Sequence, residues 1–330
     1  MDWALTGAGL FVGVIVGLTG MGGGALMTPV LVIFFGIPPL AAVSSDLVAS
    51  AVMKPFGSLV HIRAKRVDWR LVGWLCIGSV PCAFAGVLVA RAIGGDNLQT
   101  VVKTALGVAL MLAVAGLVTR AYMQMREQAA RRASGAPAAP ASDGTITRVR
   151  VKPIPTLVLG AVGGLVVGMT SVGSGSLIIV ALLALYPMLR PGDLVGTDLV
   201  QAVPLVASAA LGQLLFGDFK LDVTASLLLG AIPGVLIGAQ ISARGQNGLI
   251  RRALAIVLFA SALKLLNASN AELLGGVIAA LVAGTLGWAA VRRANGLPAF
   301  ARWSRGSSVP APPAPAPPAV PDLVADLEHR

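Results

Sequence analysis

The chain has 330 residues, 56% hydrophobic and only 12% charged, with a formal net charge of +11 and a mean hydropathy of +0.85. This balance excludes an ordinary soluble domain and points to an all-α polytopic membrane protein. The basic residues sit mostly in loops and tails between apolar spans, so they read as a positive-inside pattern and not as a nucleic-acid surface.

No secretory signal is expected at the start, because Asp2 stands where a positive n-region would be. The first apolar run extends from about Trp3 to Phe35. As one helix it would reach roughly 50 Å, against a hydrocarbon core of about 30 Å, yet it is too short for two full spans. Inside it lies Gly17-Leu-Thr-Gly-Met-Gly-Gly-Gly-Ala-Leu-Met-Thr-Pro29. Glycines are poor helix formers, each about 1 kcal/mol worse than alanine. The expectation is a half-helix that unwinds at Gly20–Gly24 and turns back as a second half-helix through Pro29. Broken backbone at membrane depth is tolerated where it is buried in protein or lines a wet cavity, so a functional site is expected there.

After the turn Gly36-Ile-Pro-Pro39, apolar helices are predicted at about 43–61, 70–91 and 99–120. Cys76 and Cys82 fall inside one of these spans and read as buried small hydrophobes; no metal and no cofactor is expected. Residues 122–153 form a basic, Ala/Pro/Ser/Arg-rich loop with no apolar period. A second set follows in 154–268: a broken segment at about 155–187, then helices at about 195–215, 223–243 and 249–267. A further helix occupies 269–292, and 293–330 is a Pro/Ala-rich tail expected to be disordered.

The two sets, 1–121 and 154–268, repeat one another. Gly17-Leu-Thr-Gly-Met-Gly-Gly-Gly-Ala-Leu26 overlays Gly168-Met-Thr-Ser-Val-Gly-Ser-Gly-Ser-Leu177, and Ser45-Asp-Leu-Val48 overlays Thr197-Asp-Leu-Val200. Ile77-Gly-Ser-Val-Pro81 overlays Leu229-Gly-Ala-Ile-Pro233, and Gly86 overlays Gly238. Charge decides the topology. If each broken segment crossed once, Arg190, Arg244, Arg251, Arg252 and the tail would lie outside. If each is a re-entrant hairpin, these residues, Arg63, Lys65, Arg66, Arg70 and the 120–152 loop are all cytoplasmic, leaving Arg91 and Lys220 outside. The predicted fold is therefore two inverted repeats, each a re-entrant hairpin plus three transmembrane helices, with one extra C-terminal transmembrane helix. The N-terminus is expected outside and the C-terminus in the cytoplasm. Inverted repeats with discontinuous helices are a signature of secondary transporters.

The tract Gly20-Met-Gly-Gly-Gly-Ala-Leu-Met-Thr-Pro29, its partner Gly173-Ser-Gly-Ser-Leu177 and the tandem repeat resemble the TauE/SafE sulfite exporter family over about residues 7–268. The resemblance implies an inner-membrane carrier, described as an exporter, of sulfite, organosulfonates and other small sulfur-containing anions. The chain departs from the pattern at Ser45-Asp46 and Thr197-Asp198, where a neutral residue would follow the Ser/Thr.

An anion leaving water needs its hydration replaced, and half-helix N-termini offer free N–H groups and a positive dipole end. The candidate substrate-binding residues are Thr19, Gly22, Gly23, Gly24, Ala25, Thr170, Ser171, Gly173, Ser174, Gly175 and Ser176. The alternative for the glycines is close helix packing, which is the preferred reading for Gly86 and Gly238. Lys54 lies mid-helix, where it pairs with the anion or else snorkels to the headgroups. Asp46 and Asp198 either cap the second helix of each repeat or couple transport to protons. Gln201 and Gln213 read as polar lining, Lys103 and Lys264 as snorkelled residues near helix ends, and His61 as a surface histidine or a proton relay.

A Gly-x-x-x-x-Gly-Lys-Ser/Thr motif is missing from the chain, so nothing in it would drive transport with ATP. An enzyme is not expected, because His61 and His329 alone cannot build a nucleophile–base set or metal cluster. An anion channel and a non-transporting assembly or sensor subunit remain the alternatives to a carrier, and membrane carriers of this size often self-associate.

Overall fold

The computed structural model describes residues 2–19, 23–63, 65, 67–94, 97–133, 150–173, 175, 177–186, 189, 191–243 and 248–294. Among them are eleven helices: α1 (Trp3–Thr19), α2 (Gly24–Phe34), α3 (Pro39–Arg63), α4 (Trp69–Gly94), α5 (Leu98–Ala133), α6 (Pro153–Thr170), α7 (Leu177–Leu185), α8 (Pro191–Phe216), α9 (Leu221–Ala243), α10 (Gly248–Leu265) and α11 (Asn270–Ala294). Six of these are long and apolar enough to cross a membrane. The loop residues 134–149 and the tail from 295 lie outside the described residues.

Both glycine-rich tracts interrupt a helix. The first arms, however, are longer than half-helices: α1 has 17 residues and α6 has 18, while α2 has 11 and α7 has 9. At 1.5 Å per residue, the first arms reach about 25 Å. α1 ends at Thr19 and α2 begins at Gly24, the bounds expected for the first break, and glycines of α1 and α6 that precede each break pack against neighbouring helices.

That packing is close. A Cβ on Gly160, Gly164 or Gly168 of α6 would run into the carbonyls of Leu75, Ser79 and Ala83 on α4. On the other side, Gly9 and Gly13 of α1 meet Leu227 and Ala231 of α9, and Gly238 of α9 meets Val14. Gly86 presses on Leu165 in the same way. Small residues at such seams let backbones approach, which is how helices gain contact where lipid gives no hydrophobic drive.

The contacts also set directions. Successive steps of four match on α6 and α4, so these two helices run parallel. α1 runs parallel to α9, with the Asp2 amide donating to Ser226 Oγ at 3.1 Å near their starts. α3 and α8 are antiparallel: Ser44 Oγ donates to Gln213 Oε1 at 2.8 Å, while just past the other end of α3 the Asp68 amide donates to Thr197 Oγ1 at 3.1 Å. α4 follows α8, with Ser208 Oγ on the Val80 carbonyl at 2.7 Å. The short link 217–220 reverses α8 into α9. Thus α1, α3 and α9 share one direction, α4, α6 and α8 the other, and α2 returns between α1 and α3. α5 and α10 pack antiparallel, with Lys103 Nζ donating to Asn267 Oδ1 at 2.6 Å.

Two boundaries differ from expectation. α5 continues to Ala133, well into the stretch expected to be a loop from residue 122. Its sequence there, Met-Arg-Glu-Gln-Ala-Ala-Arg-Arg-Ala, lacks an apolar stripe but consists of strong helix formers. α3 and α8 begin at Pro39 and Pro191, several residues ahead of the expected starts. Proline is well suited to the first helical turn, where its missing N–H costs nothing.

Candidate functional site

The earlier helix starts change the meaning of the two aspartates. Asp46 and Asp198 each lie seven residues inside a helix that begins with proline, so neither caps one. Ser45, expected as a cap, is instead fully buried within α3, and its Oγ has no hydrogen-bond partner among the described residues. Both aspartates are fully buried. A carboxylate with no access to water must be paired, hydrogen-bonded or protonated.

Asp46 is held by hydroxyls from three directions. Thr28 Oγ1 of α2 donates to Oδ2 at 2.8 Å, and Ser171 Oγ, at the break between α6 and α7, donates to the same oxygen at 2.7 Å. Ser50 Oγ, one turn further along α3, reaches Oδ1 at 3.5 Å. One carboxylate therefore ties α3 to both interrupted segments. Both short hydrogen bonds end on this one carboxyl group, so it fixes where α2 meets the break after α6.

The break in the second set has its own local logic. Ser171 closes α6 in the left-handed region, at φ 60°, with its amide on the Val167 carbonyl at 2.7 Å. Gly173 and Gly175 follow at φ 130° and 99°, conformations that cost a residue with a Cβ but not glycine. Gly173 then supplies its carbonyl to the amides of Leu177 and Ile178, starting α7. Thr170 is spent locally: its Oγ1 donates to the Val166 carbonyl at 2.7 Å and accepts from the Val172 amide at 3.2 Å.

At the start of α2, the Gly23 carbonyl accepts from the Leu26 and Met27 amides at 3.0 and 2.9 Å. No side chain caps the first turn among the described residues, so the N–H groups of Gly24 and Ala25 belong to the orphan set of a helix start. Gly23 faces Asp46, Ser50 and Met53 at ordinary contact distance, whereas Gly24 is pressed against the Ser171 carbonyl. Gly23, Gly24 and Ala25 are all buried. Ala25 takes part in the apolar core next to Leu26 and Met27.

Lys54 lies two turns beyond Asp46 on α3 and nine residues before the end of that helix at Arg63. Its relative exposure is 7%, which does not fit snorkelling to headgroups. It interacts electrostatically with Asp198 of α8 and with Asp46. Three ionisable groups from α3 and α8 thus share one buried region. Gln201, one turn along from Asp198, is also fully buried and donates through Nε2 to Ser79 Oγ of α4 at 2.6 Å. Its Oε1 has no hydrogen-bond partner among the described residues. Gln213 is engaged elsewhere, with its Nε2 on the Gly168 carbonyl at 3.3 Å.

Of the sequence candidates, Gly22, Ser174 and Ser176 lie outside the described residues, as does the side chain of Thr19. Gly23, Gly24, Asp46 and Ser171 are brought together, with Lys54 and Asp198 in electrostatic reach. Thr28, Ser50 and Ser79 join the site without being among the sequence candidates. Ser50 carries a sequence signal, lying four residues from Asp46 and so on the same helix face; Thr28 lies inside the first glycine-rich tract.

The profile of the sulfite exporter TauE/SafE family matches residues 5–265. A protein of Bacillus subtilis (strain 168) described as "Probable membrane transporter protein YjnA" is 36% identical over 260 residues, covering 78% of this chain and 97% of that protein. No solved structure matches the chain significantly.

Proposed function

This chain belongs to the TauE/SafE sulfite exporter family and is a multi-pass membrane transporter, and from that premise we propose that it exports a small sulfur-containing anion, such as sulfite or an organosulfonate, by a proton-coupled secondary mechanism. The observation that carries the reading is Lys54, a buried cation within electrostatic reach of two buried aspartates. Intramembrane ionisable residues are expensive and mark ion or substrate pathways. The start of α2, capped by no side chain among the described residues, adds N–H donors of the kind that bind anions at discontinuous transporter helices.

The charge balance favours protons as the coupling species. Two carboxylates against one ammonium leave a net charge of −1 when all three are ionised. An arriving anion adds to that charge in a low-dielectric interior, where like charges repel strongly. Protonation of Asp46 or Asp198 removes the conflict and gives the lysine to the substrate.

The helix directions support re-entrant hairpins in two inverted repeats, because α1 runs opposite to α6 and α3 opposite to α8. With the basic loops cytoplasmic, the N-terminus lies outside and the C-terminus inside the cell.

Asp46→Asn and Asp198→Asn test the coupling. In proteoliposomes containing equal amounts of inserted protein, wild-type sulfite flux should rise several-fold under an imposed pH gradient, and both variants should lose that response. Variants that insert normally and keep the full gradient response would remove the aspartates from coupling. Variants that merely insert poorly would assign the carboxylates to holding the helices together.

A further inference from the structure

A second site lies apart from the buried centre. A cavity of about 520 Å³ is lined by Trp69, Arg70, Gly73, Trp74 and Ile77 of α4 and by Arg150 and Val151, just before α6. Arg70, Gly73, Trp74 and Ile77 recur at helical spacing and form one face. Trp69 and Ile77 are 60% and 59% exposed, and a Cβ on Gly73 would meet nothing within 4 Å. The face is open along its length.

The geometry points to a binding site for the headgroup and upper acyl chain of an anionic phospholipid. Polarity is graded along the helix as a lipid is graded along its length. Trp69 and the two guanidiniums stand at the helix start, Trp74 comes one turn further along, and Ile77 lies about 10 Å deeper. Tryptophan favours the headgroup level, and guanidinium matches phosphate oxygens in a bidentate fork. No carboxylate lines the cavity among the described residues. By the charge count above, this end of α4 faces the cytoplasmic leaflet.

Both arginine-bearing segments are held in place. Asp68 caps α4, with Oδ1 accepting from the Arg70 and Leu71 amides at 3.0 and 3.3 Å. On the other side, the Lys152 amide donates to Tyr186 Oη at 2.8 Å, and Thr156 Oγ1 donates to the Lys152 carbonyl at 2.7 Å. The two guanidiniums are therefore carried on backbone that need not be ordered when the lipid arrives, which lowers the entropic cost of binding.

The test is a lipid titration of the purified full-length chain in detergent, read by thermal unfolding and by native mass spectrometry. Phosphatidylglycerol should stabilise the protein and remain bound, while phosphatidylcholine should do neither. Arg70→Gln with Arg150→Gln should weaken phosphatidylglycerol binding roughly 25-fold. Both arginines are exposed, so the fold should survive. Arg91→Gln, at the far end of α4, should leave binding unchanged. Equal responses to the two lipids, wild-type binding by the double variant, or an equal loss from Arg91→Gln would each overturn the assignment. Full stabilisation by millimolar inorganic phosphate would also overturn it, because the ligand would then be a soluble anion.

Discussion

Lys54→Met is expected to abolish transport, with flux falling by about a hundredfold or more while the protein still inserts. Truncating one member of a buried charge pair costs roughly 2–5 kcal/mol of binding, and a hundredfold loss corresponds to about 2.7 kcal/mol. Methionine keeps most of the lysine's length and apolar stem, so packing along α3 is largely retained. What it removes is the cation within electrostatic reach of Asp198 and Asp46. Buried carboxylates left without a cation respond by taking up protons, which tempers the stability loss but leaves no cation to pair with an anion. Lys54→Arg keeps the charge in a bulkier, planar group and should recover part of the flux. Lys264→Met is the surface control: Lys264 is exposed, with its Nζ on Asn270 Oδ1 at 3.0 Å, and its loss should change flux little. Proteoliposome assays normalised to inserted protein decide the matter, and wild-type flux from Lys54→Met would take the lysine out of the substrate path.

Gly24→Ala is expected to give the largest stability loss of any single methyl addition near the site. The new Cβ would collide with the carbonyl and side-chain oxygen of Ser171, and backbone cannot swing aside as a side-chain end can. Overpacking of this kind costs about 1–3 kcal/mol. It would also push Ser171 off Asp46, forfeiting a hydrogen bond to a carboxylate worth roughly 1.5–3 kcal/mol. Gly7→Ala is the matched comparison. Gly7 lies within α1 with nothing within 4 Å of its Cβ direction, so the substitution should be neutral or should stabilise by up to about 1 kcal/mol. Thermal unfolding in detergent measures both. If Gly24→Ala unfolds at the wild-type temperature, the two interrupted helices do not meet at this contact.

The local breaks were readable because glycine density acts on its own segment. The tracts around Gly22 and Gly173 interrupt helices for reasons internal to a few residues. Lys54, Asp46 and Asp198 stood out for a related reason: charge inside an apolar run is visible without knowing its neighbours. Helix starts were less legible. Ser45-Asp46 looks like a cap in sequence, but Pro39 begins the helix nearly two turns earlier, and the aspartate is thereby carried into the interior. The end of α5 was hidden for the opposite reason, since its last turns have helix propensity without an apolar stripe to reveal it.

The least legible feature is the partnership around Asp46. Ser171 is 125 residues away in sequence, and Thr28 is one hydroxyl in an otherwise apolar helix. Neither periodicity nor composition can say that these three side chains meet. That information lies in the packing of α1 on α9 and α4 on α6, which is set by glycine seams whose partners are likewise distant.

The most direct measurement is thermal unfolding of purified wild-type and Lys54→Met protein with sulfite, sulfate, sulfoacetate, thiosulfate and zwitterionic taurine. A ligand present at a hundredfold excess over its Kd stabilises the form it binds by about 2.7 kcal/mol, a shift of several degrees for a chain of this size. At least one of the sulfur anions should give that shift in the wild-type protein, taurine should not, and Lys54→Met should respond to none of them. Stabilisation that is the same in both proteins, or absent for every anion, would contradict an anion site built around Lys54.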